Sequence, residues 1–285
     1  MKFTQNLPGC FASYSRPLFL CIGLLFLAAC DDKPGAYRER PVEDLYNDAM
    51  NHIDDEEYQD ASKLFEEVER QHPYSAWATK AQLMGAYAQY QRNKYDEALV
   101  LLDRFIQLHP GNRDAPYAYY LKGLCYYEQI TDVGRDQKIT ELALTSLQEV
   151  VDRFPTTKYA RDARLKVDLT RDHLAGKEMA IGRYYQKGGQ LLAALNRFKV
   201  VTDQYQTTTH TPEALHRQVE VFVALGLTED AKRTAAVLGH NFPGSEWYQD
   251  SFDLLTKGRS ASVPAPEEPV KKGKKKSTGW FSWLW

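Results

Sequence analysis

Ala98-Leu99-Val100-Leu101-Leu102-Asp103-Arg104-Phe105-Ile106-Gln107-Leu108-His109-Pro110 carries the pattern that decides the fold. Ala98, Leu102 and Phe105 recur at i, i+4 and i+7, one face of an amphipathic helix. Pro110 stops that helix, because it has no N–H to donate and its ring clashes with the preceding turn. The frame occurs four more times: Ala61, Ala143, Ala194 and Ala231 each stand twelve residues before a segment end at Pro73, Pro155, Gln206 or Pro243. Phe65, Leu147, Phe198 and Ala235 stand eight before the same ends. Spacings of 37, 45, 51 and 37 residues between the alanines are those of a repeat protein. Ser75, Thr157 and Ser245 follow three of the ends and are placed to cap the next helix. Each unit therefore reads as a helical hairpin. One hairpin cannot bury its apolar face alone, so the units must stack into an all-α solenoid of about five repeats with a concave side.

The alternation resembles tetratricopeptide repeats, whose small residues and terminal proline fall on Ala49, Ala61 and Pro73 in the first unit. The first-helix tryptophan usual in such repeats is replaced by Leu45 in unit one and Gln82 in unit two. Units three and four are stretched, and residues 129–137 read as a polar loop between the two helices of a hairpin. Aromatic stripes such as Tyr87-Tyr90 and Tyr117-Tyr119-Tyr120 are expected mainly in interhelical packing, with some lining a peptide groove.

The 285 residues carry 36 Lys and Arg against 38 Asp and Glu, a net charge of −2 that hides a strong asymmetry. Residues 30–256 hold 27 basic and 36 acidic groups, while 257–285 hold seven and two. An acidic body argues against nucleic acid as a partner, since phosphate contacts need Lys and Arg. At the amino terminus Lys2 and Arg16 precede the apolar run Leu18–Ala29, too short to span a bilayer and suited to a secretory signal. Leu27-Ala28-Ala29-Cys30 resembles a bacterial lipobox, which implies cleavage before Cys30 and lipidation of its thiol. Cys10 and Cys21 then leave with the signal, and Cys125 is the remaining thiol, without an intrachain disulfide partner. Three acyl chains would anchor the protein to a membrane surface. The expected organisation is a signal at 1–29, a lipidated linker at 30–42, repeats at 43–257 and a tail at 258–285.

No spacing for catalysis is present: there is no His-Glu-x-x-His, Gly-x-Ser-x-Gly or phosphate-loop motif. His210 and His216, six apart, do not share a helical face suited to a metal. His72 and His109 sit at helix ends as C-terminal partners, Cys125 reads as a small core residue, and the Asp48, His52, Asp55, Glu56 cluster as a solvated acidic face. The reading is a binding scaffold: not an enzyme, with no cofactor and no metal site.

A lipobox followed by stretched repeats resembles the BamD family of outer-membrane assembly factors, the ComL-type lipoproteins. The resemblance rests on Asp103-Arg104-Phe105-Ile106-Gln107-Leu108-His109-Pro110, on Tyr120-Leu121-Lys122-Gly123-Leu124, and on Tyr184-Tyr185-Gln186-Lys187-Gly188 leading to Asn196-Arg197-Phe198. It implies a periplasm-facing, outer-membrane subunit of the machinery that inserts β-barrel proteins. It further implies a partner contact with the periplasmic domains of the barrel-forming subunit around Asn196, Arg197, Tyr184 and Tyr185, and association with the machinery's other lipoproteins. A groove for unfolded barrel precursors is expected around His72, Pro73, Tyr74, Trp77 and Tyr87. The competing expectation is a periplasmic repeat protein coordinating cell division or envelope constriction. Asp31, directly after Cys30, is a residue that in enteric bacteria favours retention in the inner membrane.

The tail begins with a Pro-rich linker and continues with Lys271, Lys272, Lys274, Lys275 and Lys276, then Trp280, Trp283 and Trp285. Lysines drawn to anionic head groups and tryptophans favouring the interface suit a second membrane anchor; a protein-docking peptide is the alternative.

Overall fold

The alanine frame is the spine of the observed architecture: Ala61, Ala98, Ala143, Ala194 and Ala231 are all fully buried. Small side chains there let each hairpin's second helix lie close to its neighbours. A computed structural model describes residues 39–257; Cys30, the signal and the Lys/Trp tail lie outside the described residues. Eleven α-helices and no strands are found among these residues. They are α1 (Val42–Asp54), α2 (Tyr58–Gln71), α3 (Ala76–Gln91), α4 (Tyr95–Leu108), α5 (Ala115–Tyr127), α6 (Lys138–Arg153), α7 (Lys158–Lys187), α8 (Leu191–Gln204), α9 (Thr211–Ala224), α10 (Thr228–Asn241) and α11 (Glu246–Lys257). Five hairpins, α1–α2 through α9–α10, are thus followed by a single closing helix.

Every second helix ends in the same way. The N–H groups of His72, His109, Phe154, Tyr205 and Phe242 donate to the carbonyls of Val68, Phe105, Val150, Val201 and Leu238, with φ between −124° and −135°. Tyr205 keeps this geometry although Gln206 stands where the other units have Pro, so packing of the buried Val201 face, not the proline alone, sets the end. Three of the following helices start on the expected caps. The N–H of Ala78 donates to Ser75 Oγ at 3.0 Å, that of Ala160 to Thr157 Oγ1 at 3.2 Å and that of Trp247 to Ser245 Oγ at 3.3 Å. Within four hairpins the tight turn places one residue at positive φ in the same register: Glu56 at 61°, Asn93 at 58°, Gly189 at 75° and Gly226 at 77°. Hairpin three replaces that turn with residues 128–137, where the amide of buried Gln137 donates to the carbonyl of Arg135 at 3.0 Å and organises the loop. The extra length of unit four lies elsewhere, in the 30-residue α7.

Packing is close where glycine permits it. A Cβ built on Gly182 of α7 would lie 2.4 Å from the ring of buried Phe198 on α8, and one on Gly123 of α5 would lie 2.7 Å from buried Leu147 on α6. Among the described residues the first helices of successive hairpins also meet one another, α1 with α3, α3 with α5 and α5 with α7, whereas the second helices α2 and α4 are joined through the Arg104–Glu69 ion pair. Helices that converge on one side and spread on the other curve the stack, so the first helices line its inner face.

Candidate functional site

α3 and α5 are flanked on both sides by other helices and are mainly apolar around their circumference, Ala-Trp-Ala-Thr-Lys-Ala-Gln-Leu-Met-Gly-Ala-Tyr-Ala-Gln-Tyr-Gln and Ala-Pro-Tyr-Ala-Tyr-Tyr-Leu-Lys-Gly-Leu-Cys-Tyr-Tyr. Their small residues go into the stack, and half-buried tyrosines remain at the inner face. Tyr87 and Tyr90 on α3, Tyr117 and Tyr120 on α5, and Tyr159 on α7 make one aromatic strip. Tyr159 lies 5.4 Å from Tyr117 and 5.5 Å from Tyr120 between ring centroids, and Tyr117 is near enough to Tyr87 and Tyr90 to feel their ionisation. The hydroxyls point to polar rims. Tyr90 OH donates to Glu128 at 3.5 Å, Tyr120 OH to Asp162, and the Gln91 amide donates to Tyr87 OH at 2.5 Å. Burial first, then the Glu128 carboxylate, pushes the Tyr90 phenol up to about 12. Burial and the Asp162 carboxylate likewise raise Tyr120, and burial with the neighbouring phenols raises Tyr117. Tyr90, Tyr117 and Tyr120 therefore stay uncharged at neutral pH, and the strip offers apolar area with hydroxyl tips, suited to an extended peptide.

Between α3, α4 and the turn before α5, an open pocket of about 280 Å³ is lined by Thr79, Lys80, Leu83, Phe105 and Arg113. The Lys80 ammonium also lies 5.0 Å over the Trp77 ring, which packs on Tyr46 at 4.8 Å.

The five residues expected at the precursor groove are not gathered into one pocket. Trp77 packs with the core of hairpin one and Tyr87 with that of hairpin two. His72 caps α2 through its N–H, Pro73 is exposed, and Tyr74 projects wholly into solvent from the turn between hairpins. Tyr87, Tyr90, Tyr117 and Tyr120 belong to the stripes expected to lie mainly in packing with some lining a groove; their conjunction with Tyr159 was not expected. Their signal was the recurrence of Tyr on successive first helices.

Near the carboxy-terminal repeats, Asn196 is exposed, Tyr184 is 75% exposed, and Tyr185 packs edge-on to Tyr184 at 5.8 Å while its other side meets the core. Arg197 is partly exposed, and one guanidinium nitrogen donates to both oxygens of Glu178 on α7, at 3.1 and 3.4 Å. Next to it runs a polar network the sequence did not reveal. Arg183 donates to Glu213 at 3.0 Å, Arg217 bonds Glu213 at 3.4 Å and Glu220 at 2.8 Å, and Gln186 donates to Glu220 at 2.9 Å. His216, buried, lies 3.4 Å from Glu220 through Nε2 and 2.8 Å from Ser251 Oγ through Nδ1, with Trp247 stacked at 5.4 Å. This network fastens α11 onto α9. Burial alone would raise the Glu220 pKa, but hydrogen bonds from His216, Gln186 and Arg217 outweigh it and bring the carboxyl to about 2. Cys125 is fully buried, and burial pushes its thiol up to about 12. Among the described residues no cluster of three His, Cys, Asp or Glu could hold a metal ion.

Residues 38–238 match the family model of YfiO, an outer membrane lipoprotein. The chain belongs to this family. Its curated relatives include the outer membrane protein assembly factor BamD of Caulobacter vibrioides, 54% identical over 85% of this chain and 78% of that protein. The BamD of Rickettsia prowazekii is 46% identical over 83% of this chain and 94% of that protein. Among solved structures, a thermophilic TPR protein of Thermus thermophilus covers 78% of this chain and 98% of its own at 18% identity and a TM-score of 0.37. The YfiO match takes in all of hairpins one to four and most of hairpin five; α11 and the tail lie beyond it.

Proposed function

We infer that this YfiO-family protein is a scaffold subunit of the machinery that assembles β-barrel proteins into the outer membrane, placed on the periplasmic side and acting by binding. The observation that carries this is 54% identity to a BamD over 85% of the chain. Its repeat architecture supports it, since a stack of hairpins offers separate surfaces to separate partners. Lipidation of Cys30 holds the scaffold to the membrane. The tyrosine strip receives extended precursor segments. The α7–α8 edge with Tyr184, Asn196 and Arg197 docks the barrel-forming subunit, for which a guanidinium offers a rigid fork to a carboxylate. The relatives favour this over a role in cell division.

Affinity purification of the chain from membranes tests the reading. A β-barrel subunit is expected to co-purify, and its absence from extracts that retain the chain overturns it. Palmitate labelling lost in Cys30→Ser is expected of the lipid anchor; unchanged labelling refutes that part alone.

A further inference from the structure

Two carboxylates touch the tyrosine strip, and they differ in their company. Asp162, which accepts from Tyr120 OH, has the Lys166 ammonium 3.3 Å away. Glu128, which accepts from Tyr90 OH at 3.5 Å, is exposed and has no cation within ion-pair distance among the described residues. Its place on the helix sharpens the contrast. Glu128 is the C-cap of α5, whose last turn holds no basic residue. The unpaired carbonyls at that end already carry partial negative charge, so a cation is the favoured neighbour there and a carboxylate is disfavoured. A residue that breaks a local rule in this way is expected where function calls for it.

Two rings stand beside this charge. Tyr90, at the end of α3, and Tyr95, at the start of α4, lie 5.8 Å apart between centroids and are tilted by 58°. The Tyr95 hydroxyl donates to Asn93 Oδ1 at 2.8 Å, in the hairpin-two turn, which holds the ring in place. Burial first, then the Glu128 carboxylate, raises both phenols, so both rings lie within its field. Each ring is half-buried and keeps a side open to solvent. The wider field has the same sign: hairpin one, whose Tyr46 packs on Trp77 of α3, carries eleven acidic and two basic side chains in residues 42–72.

We propose that Tyr90, Tyr95 and Glu128 form a subsite for an arginine side chain of the extended segment that the strip receives. The subsite deepens the peptide-binding reading of the strip and rests on it. A guanidinium is planar and weakly hydrated, so it stacks on a phenol face while its fork of donors meets the carboxylate. The charge of Glu128 is then neutralised, and the end of α5 gains the cation that its own last turn lacks. Asp162 offers no second place of this kind, because Lys166 already holds it. The strip thus reads one position of an otherwise loosely specified segment, favouring a basic residue there and rejecting an acidic one.

Fluorescence anisotropy tests this with the full chain in neutral detergent micelles and dye-labelled peptides blocked at both ends. The probes are Ser-Tyr-Ser-Tyr-Arg-Tyr-Ser-Tyr-Ser and its twins with Glu, or with citrulline, which has the shape of arginine without the charge, at the centre. The arginine peptide should bind about tenfold more tightly than the citrulline one, and the Glu peptide more weakly than either. Glu128→Gln keeps an oxygen for Tyr90 OH and removes the charge from the helix end. Its thermal midpoint should therefore equal or exceed the parent's, while the preference for arginine falls to about twofold or less. Tyr95→Leu should lower the preference for arginine and spare the discrimination against Glu. Equal binding of the three peptides overturns the subsite and leaves the strip reading standing, and so does an arginine preference that survives Glu128→Gln. Binding of none of them overturns the strip reading, and the subsite with it.

Discussion

Gly182→Ala probes one of the two closest approaches between helices, the other being Gly239 against Tyr248. The added methyl carbon would lie 2.4, 2.8 and 2.9 Å from three ring carbons of Phe198. That ring is fully buried in the core of hairpins four and five and has no solvent side into which to retreat. Contact at 2.4 Å falls about 1 Å short of van der Waals separation, so α7 and α8 must part or the ring must leave its rotamer. Such overpacking costs ~1–3 kcal/mol, against which alanine regains ~1 kcal/mol of helix propensity. Gly85→Ala on α3 is the control: its methyl meets Phe65 Cβ at 3.5 Å, an ordinary contact, and keeps the propensity gain. The two substitutions, chemically identical and both in helix interiors, should therefore differ in sign. Gly85→Ala is expected to stabilise by ~0.5–1 kcal/mol and Gly182→Ala to destabilise by up to ~2 kcal/mol, lowering the thermal midpoint by up to about 8 °C. Helical circular dichroism during urea and thermal unfolding reads both, with urea slopes compared because repeat arrays can lose two-state behaviour. Phe198→Leu in the Gly182→Ala background should cost less than Phe198→Leu alone, a coupling the double-mutant cycle isolates. A Gly182→Ala protein stabilised as much as Gly85→Ala would refute the close packing of α7 on α8.

The pairing of Arg197 with Glu178 separates two roles for the guanidinium. Arg197→Glu should cost ~1 kcal/mol or less, as expected of a partly exposed pair, and should weaken co-purification of the barrel-forming subunit. Adding Glu178→Arg restores the ion pair but not a partner contact, so recovered co-purification in the double variant would refute direct docking. Glu220, whose carboxyl is lowered from 4.5 to about 2, contributes stability that is fully present above pH ~4.5 and is lost as pH falls toward 2. Glu220→Gln should remove this acid-side slope from the unfolding midpoint; an unchanged slope between pH 5 and 2 counts against the network. Cys125 should resist iodoacetamide at pH 8 in the native state and react readily in urea, because a buried thiol raised to about 12 is almost wholly protonated there. Equal labelling rates in both conditions would place it outside the core.

What the sequence determined on its own is what repeats locally. The Ala/Phe/Pro frame encodes a 3.6-residue stripe and its end within thirteen residues, and burial of all five frame alanines agrees with it. Ser75, Thr157 and Ser245 act within three residues of their helices, and the loop at 129–137 was legible as polar insertion between periodic segments. Tertiary structure decided what depends on neighbours far along the chain. Trp77 and Tyr87 lie on one helix, yet they serve different hairpin cores, because α3 is held between α2 and α4 and its faces point apart. Tyr117 and Tyr159 are 42 residues apart and become neighbours only when hairpins three and four stack. Arg197 found Glu178 across nineteen residues, and His216 found Ser251 across 35. Local spacing sets which face of a helix is apolar; the angle at which one hairpin meets the next sets what that face touches. For that reason a sequence alone could announce a solenoid of hairpins with a concave side, while the surfaces on which it binds took shape only in the stack.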